Sequence, residues 1–187
     1  MKLYLALIHY PVVNRRGDII ASAVTNLDLH DMARSARTYD ATACYVVTPL
    51  KDQRELVRDL IRHWCEGEGF RMHPERGGAL KRLRIVESLQ EAGEDIQRES
   101  GLAPLTWATT ARATPHGMPH GLARRRLQET GGPLLLLFGT AWGLAQSVLD
   151  EADAVLAPIP GVDGYNHLSV RCAAAVILDR LTGTERA

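Results

Sequence analysis

The sequence predicts a single α/β domain over residues 1–187, built on a parallel β-sheet with helices on both faces. Apolar runs of strand length recur along the chain, and each is followed by a stretch with helical spacing, which is typical of a parallel sheet. The run PLLLLFG has no polar alternation, as expected for a central strand that is covered on both sides. A composition of 45% hydrophobic and 24% charged residues fits one compact domain.

Six apolar runs predict the strands of this sheet. In chain order they are LYLALIHY (3–10), ACYVVTP (43–49), RIVES (84–88), LTWATT (105–110), PLLLLFG (133–139) and AVLAPIP (154–160). The first run is interrupted by Tyr4 and His9 and is followed by Pro11, so we interpret it as a buried strand rather than as a signal peptide.

The helix after the first strand is predicted from its cap. Thr25 can accept a hydrogen bond from the first turn, and Asp28 occupies the acidic position of a capping box. Apolar residues then recur at helical spacing on one face, namely Leu29, Met32, Ala33, Ala36 and Tyr39. Further helices are predicted over residues 51–65, 88–100, 119–130 and about 168–181.

Charge and cysteine content limit the classes of function. The 22 Lys and Arg residues balance the 22 Asp and Glu residues, so a site for an anionic partner has to be a local patch. Cys44, Cys65 and Cys172 contain no C-x-x-C pair, which argues against a disulfide framework and a zinc site. No run of residues approaches the length of a membrane span. We therefore expect a cytoplasmic protein that does not bind membranes.

Three loops are candidate ligand sites because they follow predicted strands, and ligands of open parallel sheets bind at the carboxyl ends of the strands. They are ARATPHGMPHG (111–121), GTAWG (139–143) and PIPGVDGYN (158–166). In the last loop two prolines remove backbone donors and two glycines permit unusual conformations, a backbone suited to the base edge of adenine. Asn166 or Ser169 is expected to cap the following helix. The chain has no dinucleotide, P-loop, nucleophile-elbow or H-E-x-x-H motif.

Two stretches resemble motifs of the SPOUT-class RNA methyltransferases. FGTAWGL is similar to their FG-x-E-x-x-GL loop, with Ala141 and Trp142 in place of the acidic side chain. PIPGVDGYNHLSVRCAAAVIL resembles their IP-x-x-x-x-x-x-SLN-x-SVA-x-A segment. The resemblance is greatest to a stand-alone bacterial group. It implies a C-terminal trefoil knot over about residues 133–182, S-adenosylmethionine as cofactor, tRNA or rRNA as substrate, and a homodimer.

The same resemblance implies that the cofactor is held mostly by backbone groups of the three loops. The implied cofactor-binding residues are Thr109, Thr110, Ala111, Arg112, Phe138, Gly139, Thr140, Gly143, Leu156, Pro158, Ile159, Gly161, Tyr165, Asn166, His167, Leu168 and Ser169. We expect Trp142 to be packed against the protein rather than stacked on a ligand.

The catalytic candidates are Asp31 and Arg34, which resemble the N-x-x-R element of the SPOUT ribose 2′-O enzymes, with Asp replacing Asn. Because an arginine stays protonated, Arg34 would orient the ribose or phosphate and stabilise negative charge. This favours ribose 2′-O methylation slightly over base methylation. A base-methylating enzyme would need a carboxylate to take a ring proton, and Asp163 is the candidate; an ordinary turn residue is the alternative interpretation.

Clustered arginines would supply the local patch for RNA. Arg15 and Arg16 lie in a polar turn, and Arg112 and residues 124–126 are further candidates. His116 and His120 are poorly spaced for a metal pair, and we expect no metal. Two alternatives remain open: a non-catalytic nucleotide- or RNA-binding module on the same scaffold, and an ordinary flavodoxin-like protein.

Overall fold

The computed structural model describes residues 2–183; Met1 and residues 184–187 of the predicted domain lie outside the described part of the chain. Its strands are β1 (Leu3–Ile8), β2 (Val12–Val13), β3 (Ile19–Ile20), β4 (Ala43–Val47), β5 (Leu83–Val86), β6 (Leu105–Ala108), β7 (Leu134–Gly139) and β8 (Ala154–Val155). Its helices are α1 (Asn26–Thr38), α2 (Lys51–Cys65), α3 (Glu68–Met72), α4 (Pro74–Leu80), α5 (Leu89–Ser100), α6 (His120–Glu129), α7 (Gln146–Glu151) and α8 (Val170–Thr182).

Six strands form one parallel sheet in the order β5-β4-β1-β7-β6-β8. These are the six strands predicted from the sequence, and β1 and β7 form the central pair. Every residue of β1 is buried, and so are five of the six residues of β7. The unbroken apolar run of β7 therefore marks a position that is covered on both faces, as predicted.

The side chains of β1 alternate between two apolar layers. Leu3, Leu5 and Leu7 pack with α1, α2, α4, α6 and α8 on one face of the sheet. Tyr4 and Ile8 pack with α5, α7 and β2 on the other face. This period of two follows from the pleat of an extended strand. The prediction of helices on both faces is confirmed.

The predicted cap of α1 is also present. The Asp28 N–H donates to Thr25 Oγ1 at 3.2 Å, and the Thr25 hydroxyl donates to Asp28 Oδ2 at 2.6 Å. The carboxylate of Asp28 therefore binds the hydroxyl of Thr25, whereas in a complete capping box it would accept from the backbone. At the other end of the helix, the hydroxyl of Tyr39 donates to Asp179 of α8 at 3.2 Å.

The short antiparallel pair of β2 and β3 and the helices α3 and α4 were not predicted from the sequence. Four glycines between residues 67 and 78 give the α3–α4 stretch a low helix propensity. Tertiary packing stabilises it there, because a Cβ on Gly77 would lie 2.4 Å from the ring of Phe70. The absence of a side chain thus permits close packing between these helices.

The direction of the chain connections places a crevice between β1 and β7. The chain leaves β1 for β4 on one side, and it leaves β7 for β8 on the other side. Such a switch point opens a crevice at the carboxyl ends of the strands, where ligands of this architecture bind. In residues 2–183 no helix combines the length and the apolar character needed to cross a bilayer. The thiols of Cys44, Cys65 and Cys172 are free.

Candidate active site at the carboxyl edge of the sheet

Three loops meet at the carboxyl edge of the sheet, and we call them the three-loop cluster: residues 109–119, 139–145 and 156–169. Arg112 Nη2 donates to the carbonyl of Trp142 at 3.1 Å, joining the first loop to the second. Asn166 Nδ2 donates to the carbonyl of Ala111 at 2.8 Å, joining the third loop to the first. The fold therefore brings together the segments in which the cofactor residues were predicted.

The first loop is fixed to the end of β7 by Thr109. Its N–H and its hydroxyl both donate to the carbonyl of Leu137, at 3.0 and 2.8 Å. Thr110 Oγ1 accepts from the Arg112 N–H at 3.0 Å, which turns the chain back on itself. Further along, the Met118 N–H donates to Val155 at 2.7 Å and ties this loop to β8.

The second loop is shaped by close backbone approach. A Cβ on Gly139 would lie 2.6 Å from the nitrogen of Leu144, so only glycine fits this turn. The loop is also held from outside, because the Val13 N–H of β2 donates to Gly143 at 2.9 Å and the Trp142 N–H donates back to Val13 at 3.0 Å. Phe138, at the end of β7, is buried in the core.

The expectation that Trp142 is packed against the protein is wrong, because its side chain is 55% exposed. The reason is the backbone of the next residue. Gly143 has φ of 108°, which breaks the alternation of an extended chain, so that Leu144 enters the core while Trp142 remains outside. The guanidinium of Arg15 lies over the indole ring, 6.0 Å from its centroid.

The third loop follows β8 and leads to α8. Its Leu156 is buried, and the Leu156 N–H donates to Ala108 at 2.8 Å. Residues 157–159 are half-buried, and residues 160–165 are exposed, with Tyr165 69% exposed. A Cβ on Gly161 would lie 1.5 Å from the carbonyl oxygen of Tyr165, so the loop folds onto its own backbone at a point where no side chain fits. The rings of Tyr165 and His167 meet edge to face, 5.2 Å apart.

The predicted helix cap at the end of this loop is Ser169, whose Oγ accepts from the Cys172 N–H at 3.4 Å. Asn166, the other candidate for the cap, is instead committed to the bond with Ala111. Pro158, Ile159, His167 and Leu168 lie in the same loop, between the end of β8 and this cap.

The candidate catalytic residues lie on α1, beside the end of the third loop. Asp31 Oδ2 lies 3.2 Å from Nε of Arg171, and Asp28 Oδ1 lies 3.0 Å from Nη1 of the same guanidinium. Arg171 is two residues past the cap of α8, so this triad joins α1 to the three-loop cluster. Arg34, one turn beyond Asp31, is exposed and makes no ion pair within residues 2–183.

Arg171 and Asp28 were missed as site residues by sequence reasoning. A signal was present, since a cation in the first turn of a helix is unfavourable beside the helix dipole unless acidic groups neutralise it. Which carboxylates do so depends on the fold, because Asp28 and Arg171 are 143 residues apart.

A buried histidine lies at the switch point, directly after β1. His9 is fully buried, and its Nδ1 is hydrogen-bonded to Ser22 Oγ at 3.0 Å. Ser22 Oγ lies 2.5 Å from Thr140 Oγ1, and the Thr140 hydroxyl is also 2.9 Å from the carbonyl of Ile8. Burial lowers the pKa of His9 to about 4, with Asp28 opposing the shift, so the ring is neutral at pH 7. His9 Nε2 has no hydrogen-bond partner within residues 2–183.

The basic residues expected to form one patch are divided by the fold. Arg15 and Arg112 both reach Trp142, so these two cations flank the second loop. Arg16 lies beside Arg15 in the exposed turn between β2 and β3. Arg126 instead lines a cavity with Leu105, at the amino ends of the strands. The expectation that residues 124–126 join the patch is therefore wrong for Arg126, because α6 runs back along the sheet.

The two histidines of the first loop are separated by their environments. His116 is exposed, whereas His120 is half-buried with Nδ1 3.4 Å from Arg180. In the described part of the chain, no group of three His, Cys, Asp or Glu side chains is arranged to hold a metal ion. Asp163 is exposed in a short turn with φ of 52°, a conformation that Asp tolerates better than most residues.

Comparison with known proteins gives matches over nearly the whole chain. A profile of the family described as SAM-dependent RNA methyltransferase matches residues 2–183. A protein of Oleidesulfovibrio alaskensis named tRNA (guanine-N(1)-)-methyltransferase is 48% identical over 182 residues, which are 97% of this chain and 42% of that protein. A protein of Aquifex aeolicus is 38% identical over 184 residues, 98% of this chain and 90% of that protein. The chain thus spans less than half of the first relative.

Solved structures with the same fold are more distant in sequence. TrmJ from Z. mobilis superposes with a TM-score of 0.64 at 17% identity, covering 98% of this chain and 70% of that one. The SpoU methyltransferase AviRb from Streptomyces viridochromogenes, in complex with AdoMet, superposes with a TM-score of 0.59 at 16% identity. The superposition covers 97% of this chain and 57% of that one. At these identities the likeness establishes the fold alone.

Proposed function

The chain belongs to the SPOUT-class family of S-adenosylmethionine-dependent RNA methyltransferases, as its motifs predicted, and from this premise we propose that it transfers a methyl group from S-adenosylmethionine to a nucleotide of tRNA or rRNA. The observation that carries the proposal is the hydrogen bonding within the three-loop cluster. Arg112 and Asn166 each donate to the backbone of another loop, so the segments implied as a cofactor site are held as one unit.

Features of the third loop fit an adenosyl ligand. The N–H groups of Ile159 and Gly161 make no hydrogen bond within residues 2–183, so they are available to a base edge. Pro158 and the compact turn at Gly161 hold this backbone in a fixed path, which lowers the entropy lost on binding. The residues that would hold the cofactor are the seventeen named from the sequence, mostly through backbone atoms.

Bound S-adenosylmethionine supplies an electrophilic methyl carbon on a sulfonium. The protein then has to hold the acceptor in line with the carbon–sulfur bond and manage one proton. We assign Arg34 to the acceptor side, where its permanent charge orients ribose or phosphate and stabilises developing negative charge. Asp31 acts as a positioning residue, because its carboxylate holds Arg171 at the start of α8.

The arrangement favours a ribose 2′-oxygen slightly over a base as the acceptor. Asp28 and Asp31 are both engaged by the single guanidinium of Arg171, which holds the two carboxylates of α1 at the start of α8 rather than at an acceptor base. Arg34, in contrast, is exposed. Arg15, Arg16 and Arg112 would contact RNA phosphates at the edge of the cluster.

Methylation of guanine N1 is the second candidate, favoured by the name of the Oleidesulfovibrio relative. That name belongs to a protein more than twice as long as this chain. Methylation of guanine N1 by this chain therefore requires a residue of its own that removes the N1 proton. Asp163 would have to accept the N1 proton.

We also propose that the enzyme is a homodimer and is cytoplasmic, where its RNA substrates are found, and that the C-terminal knot implied by the resemblance is present. Support for the dimer comes from exposed apolar side chains on adjacent helix starts. Leu27, 65% exposed, lies in the first turn of α1, and Leu168, 48% exposed, directly precedes the cap of α8. Sedimentation velocity of the full chain measures the oligomeric state directly.

The test of the function combines binding with transfer. Calorimetric titration should give saturable binding of S-adenosylmethionine and its demethylated product, and none of NAD. Tritiated methyl groups should then enter tRNA or rRNA, and nucleoside chromatography should identify a 2′-O-methylated product. Recovery of 1-methylguanosine would select the second candidate. Failure of the folded protein to bind either methionine-derived ligand would overturn the proposal and favour the RNA-binding module.

A further inference from the structure

A second candidate surface lies away from the three-loop cluster, where α4 packs against α1. We call it the α1–α4 face: His30, Arg34 and Arg37 of α1, Trp64 at the end of α2, and Arg76 of α4. The connection between β4 and β5 forms part of this face through α2, α3 and α4. None of these residues except Arg34 has a role in the proposed transfer.

Trp64 is surrounded by rings and a cation. The rings of His30 and His63 each stand edge to face with its indole, at centroid distances of 5.2 Å. His73 lies at 6.3 Å, and the guanidinium carbon of Arg76 lies 4.8 Å above the ring. A core tryptophan is normally packed among aliphatic side chains, so this polar and partly exposed setting is unusual.

The indole is held in a fixed position. A Cβ on Gly69 would lie 2.8 Å from Cε3 of Trp64 and 3.0 Å from the ring of His63, so α3 packs closely against both rings. Trp64 also packs against the apolar core at its inner side. An aromatic side chain that is fixed before binding loses little conformational entropy when a ligand stacks on it.

Unpaired positive charge distinguishes this face. Arg34, Arg37 and Arg76 are exposed and make no ion pair with a carboxylate within residues 2–183. Two of the nearby acidic groups are paired with other arginines, Asp59 with Arg62 and Glu68 with Arg71.

The three cations lie on two helices that are in contact, α1 and α4. The guanidinium of Arg37 lies against α4, where its carbon would be 3.7 Å from a Cβ on Gly78. The pKa of His30 is lowered, first by burial and then by the charges of Arg76 and Arg34, with Asp31 opposing. The charges of Arg76 and Arg34 therefore act on the same ring, although the two residues come from different helices.

We propose that the α1–α4 face binds the RNA substrate, with Arg37 and Arg76 at backbone phosphates and an unstacked base on the rings around Trp64. Positive grooves with fixed aromatic platforms are how proteins bind single-stranded nucleic acid, and stacking tolerates any base. An RNA strand bound along this face would reach Arg34, which lies at one end of the face and is assigned to the acceptor side of the reaction. This inference deepens the proposed function and rests on it for the identity of the substrate.

The first test measures RNA affinity. The probe is a fluorescein-labelled 20-nucleotide single-stranded RNA of mixed sequence, followed by anisotropy, with total tRNA as competitor. The variant Arg37→Ala/Arg76→Ala should bind about tenfold more weakly, and the slope of log affinity against log salt should fall by about 1.4. The control Arg98→Ala removes one charge on the opposite face of the sheet and should bind like the wild type. Unchanged affinity and slope in the double variant, or no binding by the wild type, would overturn the proposal.

A second measurement addresses stacking. The chain has three tryptophans, and Trp107 is only 4% exposed, so in a Trp142→Phe background the accessible indole is that of Trp64. Addition of the unlabelled RNA should quench this emission and slow its quenching by acrylamide. An emission unaffected by saturating RNA would contradict the assignment of Trp64.

Two outcomes separate this inference from the function on which it rests. If the double variant loses RNA affinity and the wild type transfers no methyl group, the assignment of this face to RNA binding is supported and the proposed methyl transfer is refuted. Altered oligomeric state in sedimentation with unchanged RNA affinity would instead overturn the inference and assign the face to contact between two copies. Far-ultraviolet circular dichroism and thermal unfolding, which do not depend on cofactor binding, verify that each variant is folded.

Discussion

Arg171 Nη1 lies 3.0 Å from Oδ1 of Asp28, and this contact joins the first turn of α8 to the first turn of α1. Asp28 is only 8% exposed, so this ion pair is largely shielded from solvent. We expect Arg171→Ala to lower the free energy of unfolding by about 2 kcal/mol, because a buried carboxylate would lose its cation. Urea unfolding at pH 7 measures the loss.

Arg98→Ala is the matched control for that experiment. It removes an ion pair with Asp95 on the solvent side of α5, where both side chains are more exposed. Its cost should stay below about 0.5 kcal/mol. Equal costs for the two variants would contradict the role assigned to Arg171.

His9 should make stability depend on pH. Its folded-state pKa is about 4, below the ordinary 6.5, so between these values the unfolded chain binds more protons than the folded one. The free energy of unfolding therefore increases with pH through this window, by up to about 1.4 kcal/mol per unit, and is lost on acidification. Urea titrations from pH 4.5 to 7.5 should show a smaller slope for His9→Gln than for the wild type. His116→Gln, at an exposed position, should keep the wild-type slope; a wild-type slope in both variants would refute the prediction.

Gly161→Ala tests the backbone path of the third loop. The new Cβ would lie 1.5 Å from the carbonyl oxygen of Tyr165, so the loop has to rearrange. Affinity for S-adenosylmethionine should fall at least about tenfold, while thermal unfolding changes little because the loop is exposed. Gly131→Ala places a methyl group in open space and should alter neither quantity. Full cofactor affinity in Gly161→Ala would exclude this loop from the cofactor site.

Arg34→Ala tests the acceptor side of the reaction. Methyl transfer should fall by about 100-fold or more, because a charge-stabilising group is removed, while cofactor affinity should change less than about twofold. Arg34→Lys should recover part of the rate, since it restores the charge without the planar fork. Equal losses of cofactor affinity and of methyl transfer would contradict the assignment of Arg34 to the acceptor side.

The sequence was sufficient to predict elements that local chemistry determines. The uninterrupted apolar run of β7 indicated a central strand, and Thr25 and Ser169 indicated the starts of α1 and α8. The hydrogen bonds that unite the candidate site were not predictable in this way. Ser22 and Thr140 are 118 residues apart, and only the order of strands in the sheet brings their hydroxyls together.

The exposure of Trp142 shows a different limit. A large aromatic residue after an apolar strand is normally buried, and the composition of the loop gave no reason to expect otherwise. The conformation of the following glycine determines this exposure, because φ of 108° at Gly143 sends the side chains of Trp142 and Leu144, which would share one face of an extended strand, to different surroundings. Such a backbone angle is permitted by the sequence but not specified by it.

The hairpin that braces the second loop has a consequence for how related proteins can diverge. Its turn is self-contained: the side chain of Asn14 accepts from the N–H groups of Arg16 and Asp18, and the Asn14 N–H donates to the carbonyl of Asp18. The bonds to the second loop come from Val13, outside that turn. Length and charge in residues 14–18, where phosphate contacts are proposed, can therefore vary while the support of the second loop is kept unchanged.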